Sequence, residues 1–118
     1  MQLREVPYGG LKPVEGYGPG FFRIGGEVVT GPVLARGDRL EGWGGFDDLD
    51  RLLALAGEVD VLIVGTGSDI APLPAPFRRA LEDAGLGVEM MASPTACRSY
   101  NVLLSEGRRV AAALLPVP

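Results

Sequence analysis

Apolar residues recur with two different periods along this chain, and the change from one to the other falls at Gly44-Gly45. Before it, short β-branched and aromatic runs alternate with Gly and Pro, the pattern of strands joined by tight turns. Gly20-Phe-Phe-Arg-Ile24 and Glu27-Val-Val-Thr30 flank Gly25-Gly26. A Gly-Gly pair between such runs predicts a hairpin, because both central residues can take positive φ. Residues 1 to 18 carry Gly9-Gly10, Pro13 and Gly16-Tyr-Gly18 with little periodicity and are expected to form an edge strand or extended arm leading into a loop. Gly31-Pro32 interrupts pairing, since Pro cannot donate to a ladder. Val33 to Ala35 and Arg39 to Trp43 then resume extended structure around Arg36-Gly37-Asp38. That tripeptide is an adhesion signal in extracellular proteins, but here its residues predict a plain hairpin turn.

After Gly44-Gly45 helical spacing takes over. Asp47 or Asp48 is placed to cap a helix with Leu49, Leu52, Leu53 and Leu55 on one side, ending at Gly57. Val59 to Val64 is a β-branched run expected of a central strand covered on both faces. Pro76 suits the first turn of a second helix carrying Phe77, Ala80 and Leu81, with Gly85 at its stop. Gly87 to Met91 is the next strand. Ser93-Pro94 reads as N-cap and first helical residue of a third helix with Ala96, Tyr100, Leu103 and Leu104 on one face and Gly107 beyond its end, and Arg108 to Leu115 is the last strand. The order predicts an α/β fold: a single domain over residues 1–118, with a mixed central sheet whose parallel crossover units are flanked by helices. The N-terminal half is expected to supply a smaller antiparallel β layer.

Composition narrows the chemistry more than it names it. A 118-residue chain with one Cys and no His buries about two thirds of its unfolded surface without staples. It lacks the commonest general base and metal ligand, every Ser-His or Cys-His pair, and any intrachain disulfide. No catalytic residue, metal site or cofactor is expected. Eleven basic against fifteen acidic residues give a net charge of -4, the wrong sign for a phosphate backbone, so nucleic acid is not an expected partner. The runs Val61 to Val64 and Val110 to Leu115 fall far short of the ~20 residues of a membrane span, so no direct membrane insertion is expected. With no secretory or transit pattern after Met1, the expected location is cytoplasmic.

The candidate site follows from the strand order. In open α/β sheets ligands bind beyond the carboxyl ends of parallel strands. Gly65-Thr66-Gly67-Ser68 leaves the buried strand, and Ala92-Ser93-Pro94-Thr95 opens the third helix, so the two loops meet if their strands are parallel neighbours. Glycines admit a ligand to the backbone, and free N–H groups at a helix start attract anions. The candidate binding set is Gly65, Thr66, Gly67, Ser68, Ser93, Thr95, Arg98 and Asn101, with a small anion as ligand. The structural alternative is that Gly-Thr-Gly makes a sharp strand exit and Ser93 caps its helix. Asp69 counts against an anion, and Ile70 stands where a dinucleotide fingerprint needs its third glycine. Cys97, near a helix start and beside Arg98, has features of a thiolate but also of a small buried filler. Asp47, Asp48 and Asp50 fit a helix start better than a metal cluster. Trp43, Tyr17, Phe21 and Phe22 are equally compatible with core and with a partner surface.

Gly16-Tyr-Gly-Pro-Gly-Phe-Phe-Arg-Ile24, Gly65-Thr-Gly67 after its apolar strand, and above all Ser93-Pro-Thr-Ala-Cys-Arg-Ser-Tyr-Asn-Val-Leu103 with Glu106-Gly-Arg-Arg-Val-Ala-Ala-Ala-Leu114 resemble the MTH-type domain family of unknown function. The family includes a mitochondrial complex I assembly factor and an adipogenesis-associated protein. The resemblance spans nearly the whole chain and implies one α/β domain with a mixed sheet and a smaller antiparallel β layer. It marks Gly65, Thr66, Gly67, Ala96, Arg98, Tyr100, Asn101, Glu106 and Arg109 as shared positions without assigned roles. Mitochondrial members help assemble respiratory complex I and bind other proteins, while no reaction is established for bacterial ones. The first expectation is therefore a non-enzymatic module with a protein partner, assisting assembly of a respiratory or membrane complex. The second is a small-molecule or anion site at the paired loops, with an enzyme as one form of it. A third makes Arg98, Asn101 and Glu106 a polar network tying the last helix to the sheet. Homodimerisation through an exposed β edge is a further expectation.

Overall fold

Strand β6 is best understood by what covers it. Its six residues Val61–Thr66 include four consecutive buried ones, Leu62 to Gly65. Such a run needs cover on both faces and neighbours on both edges. In the computed structural model, which describes residues 9–118, it has both. Parallel strands β7 (Gly87–Met91) and β8 (Val110–Leu115) flank it, β4 (Val33–Arg36) pairs antiparallel with β8, and β5 (Arg39–Gly42) closes the order β5-β4-β8-β6-β7. Strands β1 (Val14–Gly18), β2 (Phe21–Ile24) and β3 (Glu27–Thr30) form a separate three-stranded antiparallel sheet.

The period-two alternation of the central strands sorts the core into two halves. Leu34, Leu62, Val64, Ala111 and Ala113 face one side. There they pack with Trp43, Leu52 of α1 (Leu49–Leu53), and Phe77 and Leu81 of α2 (Ala75–Asp83). Val33, Ala35, Ile63, Ala112 and Leu114 face the other side. They pack with Ala96, Cys97, Tyr100 and Leu104 of α3 (Ser93–Ser105) and with Val14, Phe22 and Ile24 of the small sheet. On the α3-facing side of β8, Ala112 takes up little volume, leaving room for Tyr100 and Phe22, both fully buried. The crossover from β6 to β7 runs one way across the sheet and that from β7 to β8 runs back. Right-handed crossovers then require their helices on opposite faces, where α2 and α3 lie.

The Gly25-Gly26 hairpin forms as expected, with φ of +57° and +86° at its two turn residues. Gly37-Asp38 likewise turns β4 into β5. Three details differ from expectation. The N-terminal half is divided: β1 to β3 make the small layer, while the β4-β5 hairpin joins the main sheet through β8. Helix α1 stops at Leu53, because Leu55 and Ala56 bond back three residues and the chain turns through Gly57 at φ +79° to enter β6. Asp48 precedes α1, but its carboxylate accepts from the Gly44 N–H and from Arg51, tying the preceding turn instead of capping the helix. Of the arm expected over residues 1 to 18, Val14–Gly18 is edge strand β1; residues 1–8 lie outside the described residues.

The small sheet is latched to α3 by one side chain. Asn101 accepts the Val14 N–H through Oδ1 at 2.8 Å and donates through Nδ2 to the Val14 carbonyl at 2.8 Å, as a neighbouring strand would. At the preceding residue, the buried Tyr100 hydroxyl accepts the Gly37 N–H at 3.0 Å, joining α3 to the β4-β5 turn. Asn101→Ala leaves both Val14 groups without these partners and is expected to cost about 1 to 3 kcal/mol in urea unfolding. An unchanged unfolding midpoint would show that the latch carries no stability.

Candidate functional site

The two predicted loops do meet. β6 and β7 are parallel neighbours, and the chain leaves β6 toward α2 on one face and β7 toward α3 on the other, so their ends form a topological switch point. What joins the loops is Ser93. It is 1% exposed, and its hydroxyl accepts the Gly67 N–H at 2.9 Å and donates to the Leu115 carbonyl at 2.5 Å. Its own N–H donates to the Gly67 carbonyl at 2.7 Å. One serine thus bonds the exit of β6, the end of β8 and the start of α3.

Both glycines of Gly65-Thr-Gly67 have a structural reason. A Cβ at Gly65 would lie 2.8 Å from Ser93 Oγ and 3.1 Å from Ser93 Cα, while Gly67 sits at φ +99°. Thr66 organises the rest of the loop: its hydroxyl donates to the Asp69 carbonyl at 2.7 Å, accepts the Ala71 N–H at 3.1 Å, and lies 3.3 Å from the Met91 carbonyl. The N–H groups of Gly67 and Ser93 are therefore already engaged within the chain. Ser93 is also not the helix cap it was expected to be. It is the first helical residue, Ala92 takes the cap position, and no side chain caps the helix.

The predicted set consequently divides. Gly65, Thr66, Gly67 and Ser93 come together at the strand ends, with Ser68 exposed beside them. Thr95 and Arg98 lie on the outer surface of α3, where the guanidinium donates to Thr95 Oγ1 at 3.3 Å. Arg98 and Asn101 line a shallow cleft of about 150 Å³ between α3 and β1, together with Tyr17, Pro94 and Cys97. Asn101 is occupied as the β1 latch. Glu106 is exposed at the far end of α3, so Arg98, Asn101 and Glu106 do not form the single polar network entertained above. Trp43 and Phe22 are core, whereas Tyr17 is 45% exposed.

Cys97 is buried against the second core, and burial pushes its thiol up to about 11, with the Arg98 charge pulling weakly the other way. Tyr100 is pushed up to about 12 by burial, opposed by its bond from Gly37. Neither group carries a depressed pKa suited to nucleophilic work. Among the described residues no three His, Cys, Asp or Glu side chains gather to hold a metal.

The sequence reading did not single out the opposite end of the sheet, where arginines converge. Arg36 pairs with Glu58 at 2.9 Å, Arg109 with Asp60 at 2.8 Å, and Arg36 faces Arg39 across the β4-β5 turn. The like-charged residues flanking Gly37-Asp38 were legible as a pair; their approach to Arg108 and Arg109 depends on the β4-β8 pairing.

The geometry defines a class: a three-layer α/β domain in which a mixed five-stranded sheet is covered by two helices on one face and by a helix with a small antiparallel sheet on the other. The chain belongs to the family described as protein of unknown function DUF498/DUF598, whose model matches residues 14–115. It is 53% identical to an uncharacterised protein of Rhodobacter capsulatus, over 100% of this chain and 95% of that one. It is 33% identical to NADH dehydrogenase [ubiquinone] 1 alpha subcomplex assembly factor 3 of Danio rerio, over 86% of this chain and 63% of that protein. The human assembly factor 3 is 30% identical, over 89% of this chain and 61% of its own length. The chain thus spans about three fifths of the assembly factors it matches. Among solved structures, an outer membrane protein from Bartonella henselae superposes with a TM-score of 0.83 at 31% identity, covering 92% of this chain and 97% of that one. A Mth938-like domain from Bordetella pertussis gives 0.79 at 28% identity, covering 98% and 92%.

Two outcomes follow from the site. Gly65→Ala forces a methyl against the Ser93 backbone and should destabilise by about 1 to 3 kcal/mol in thermal or urea unfolding; a neutral effect would mean that the loops are not held together as described. Folding raises the pKa of Cys97 from 9.0 to about 11 and of Tyr100 from 10.0 to about 12, so it favours their neutral forms. Their contribution to stability is whole below about pH 9 and is lost as pH rises through the folded values. Melting temperature should fall between about pH 9 and 11, and Cys97→Ala should reduce that fall. Identical pH profiles for the two proteins would contradict the buried-thiol assignment.

Proposed function

We propose that this domain is a protein-binding module, acting in the cytoplasm, that assists assembly of a respiratory or other membrane complex without catalysing a reaction itself. The observation that carries this reading is the 30 to 33% identity to assembly factor 3 over 86 to 89% of the chain. The likeness extends over most of the chain and is not confined to a short motif. Among the described residues no helix is long and apolar enough to cross a membrane, so partners would be met at the surface of this domain.

The geometry favours a particular face. The strand-end loops spend their polar groups on one another, whereas Tyr17, Pro94, Thr95 and Arg98 lie together where the start of α3 meets β1. An exposed Tyr beside an Arg is the kind of pairing that dominates protein interfaces. The guanidinium of Arg98 bonds a threonine hydroxyl and pairs with no carboxylate among the described residues, so it can take an acidic group from a partner. The same free cation is what supports the alternative, a small anionic ligand at this point.

Tagged protein purified from its own cells, beside Arg98→Glu, tests the reading through quantitative mass spectrometry of co-eluting proteins. Recovery of a respiratory or membrane-assembly protein with the wild type, reduced at least several-fold in the variant, is the expected result. Equal recovery with both would remove this face from the interface. Recovery of nothing specific, together with thermal stabilisation by small anions that Arg98→Glu abolishes, would favour the ligand-binding alternative.

A further inference from the structure

The arginine-rich end of the sheet carries a second surface, independent of the Arg98 face. An open cleft of about 310 Å³ lies there between the β4-β5 turn, the end of α3 and the start of β8. Its inner wall is apolar, formed by Val59, Leu104 and Val110, and Leu11, 36% exposed, stands at its mouth. Its rim is cationic, formed by Arg36, Arg108 and Arg109. A wider groove of about 620 Å³ adjoins it, sharing Arg36 and Glu58 and adding Arg39 and Arg51 together with Glu41, Asp48 and Asp50.

The charge balance here runs against that of the molecule. Arg36 and Arg109 are matched by Glu58 and Asp60, whereas Arg39 and Arg108 make no ion pair or side-chain hydrogen bond among the described residues. Asp38, at the tip of the hairpin, lines neither cleft. All four arginines lower the pKa of the two carboxylates in the same direction: Arg36, Arg39 and Arg109 act on Glu58, and Arg109 and Arg108 on Asp60. The lining of the apolar slot itself thus carries Arg36, Arg108 and Arg109 against Glu58, with Asp60 beside it on Arg109, on a chain of net charge -4.

We propose that this cleft docks an acidic peptide segment of a protein partner, one apolar side chain seated against Val59, Leu104 and Val110 and flanking carboxylates received by Arg108 and Arg39. Guanidinium groups bind carboxylates in two-pronged fashion, and an apolar anchor ringed by charge pairs is how small interfaces concentrate their energy. A slot of this size admits one leucine-sized anchor with its backbone and is at the lower limit for a small-molecule pocket of roughly 300 Å³. The proposal rests on the protein-binding reading for the class of partner, but not on the Arg98 face.

The test is fluorescence anisotropy with the full chain and a fluorescein-labelled short peptide of alternating Asp and Leu. Saturable binding is expected that weakens with added salt, drops at least about tenfold in Arg108→Glu and in Arg39→Glu, and is unchanged in Arg98→Glu. Both altered residues are unpaired, so the variants should keep their melting temperatures; if one fails to fold, the other carries the test. A peptide of alternating Asp and Ser should bind at least about tenfold more weakly, for want of an anchor. No saturable binding to the wild type, indifference to both charge reversals, equal binding of the Asp-Ser peptide, or tighter binding of a single-stranded oligonucleotide would each overturn the proposal. Equal partner recovery from the wild type and Arg98→Glu with this peptide binding intact would count against that face alone, whereas absent peptide binding with Arg98-dependent recovery intact would count against this cleft alone.

Discussion

The Ser93 hydroxyl is the point on which the arrangement of this domain depends. Three parallel strands end together at one edge of the sheet, and their chains depart in different directions: β6 toward one face, β7 into α3 on the other, and β8 into the tail. Strand ends that diverge leave backbone groups without ladder partners. Here one buried hydroxyl, accepting from Gly67 and donating to Leu115, supplies partners to two of the departing chains while the Ser93 N–H binds the first of them again. Placing that side chain where it can reach both requires a residue without Cβ at position 65 and a backbone at positive φ at position 67.

Helix α3 extends the same logic along its length. Its first residue holds the strand ends, Tyr100 holds the β4-β5 turn, and Asn101 holds β1. Each is a polar group on the buried side of the helix with a backbone partner, so the helix acts as a strut between the main sheet and the small one. The consequence for function is spatial. The polar side chains that approach the centre of the switch point are spent on structure, and the unpaired cations, Arg98 at one end and Arg39 and Arg108 at the other, point to surfaces where partners can meet them.

Much of this was legible in the residues. Gly25-Gly26 could hardly be anything but a hairpin, the β-branched run at 61 to 64 required a covered strand, and the alternation of strands and helices after Gly45 required crossovers. Even the meeting of the two loops followed from parallel neighbours. The role of Ser93 did not follow, because Ser-Pro at a helix start is equally the signature of a cap, and only the position of Leu115 and Gly67 decides which bond the hydroxyl makes. Asn101 and Tyr100 were visible as shared positions, but their partners lie 87 and 63 residues away, beyond any periodicity. The transfer of the β4-β5 hairpin from the small sheet to the main one, and with it the gathering of arginines from residues 36 to 39 and 108 to 109, depends on which edge β8 leaves open, a choice made by packing and not by local propensity.

Hydrogen exchange at the Gly67 amide tests the central claim most directly, since that N–H has no ladder partner and its protection depends on Ser93. If the switch point is a structural clasp, the Gly67 amide exchanges only with global unfolding, as slowly as the amides in the middle of β6, and in Ser93→Ala it exchanges far faster while those remain protected. Rapid exchange of Gly67 in the unaltered protein would contradict the account, showing a loop that opens freely and leaving its backbone available to a ligand after all.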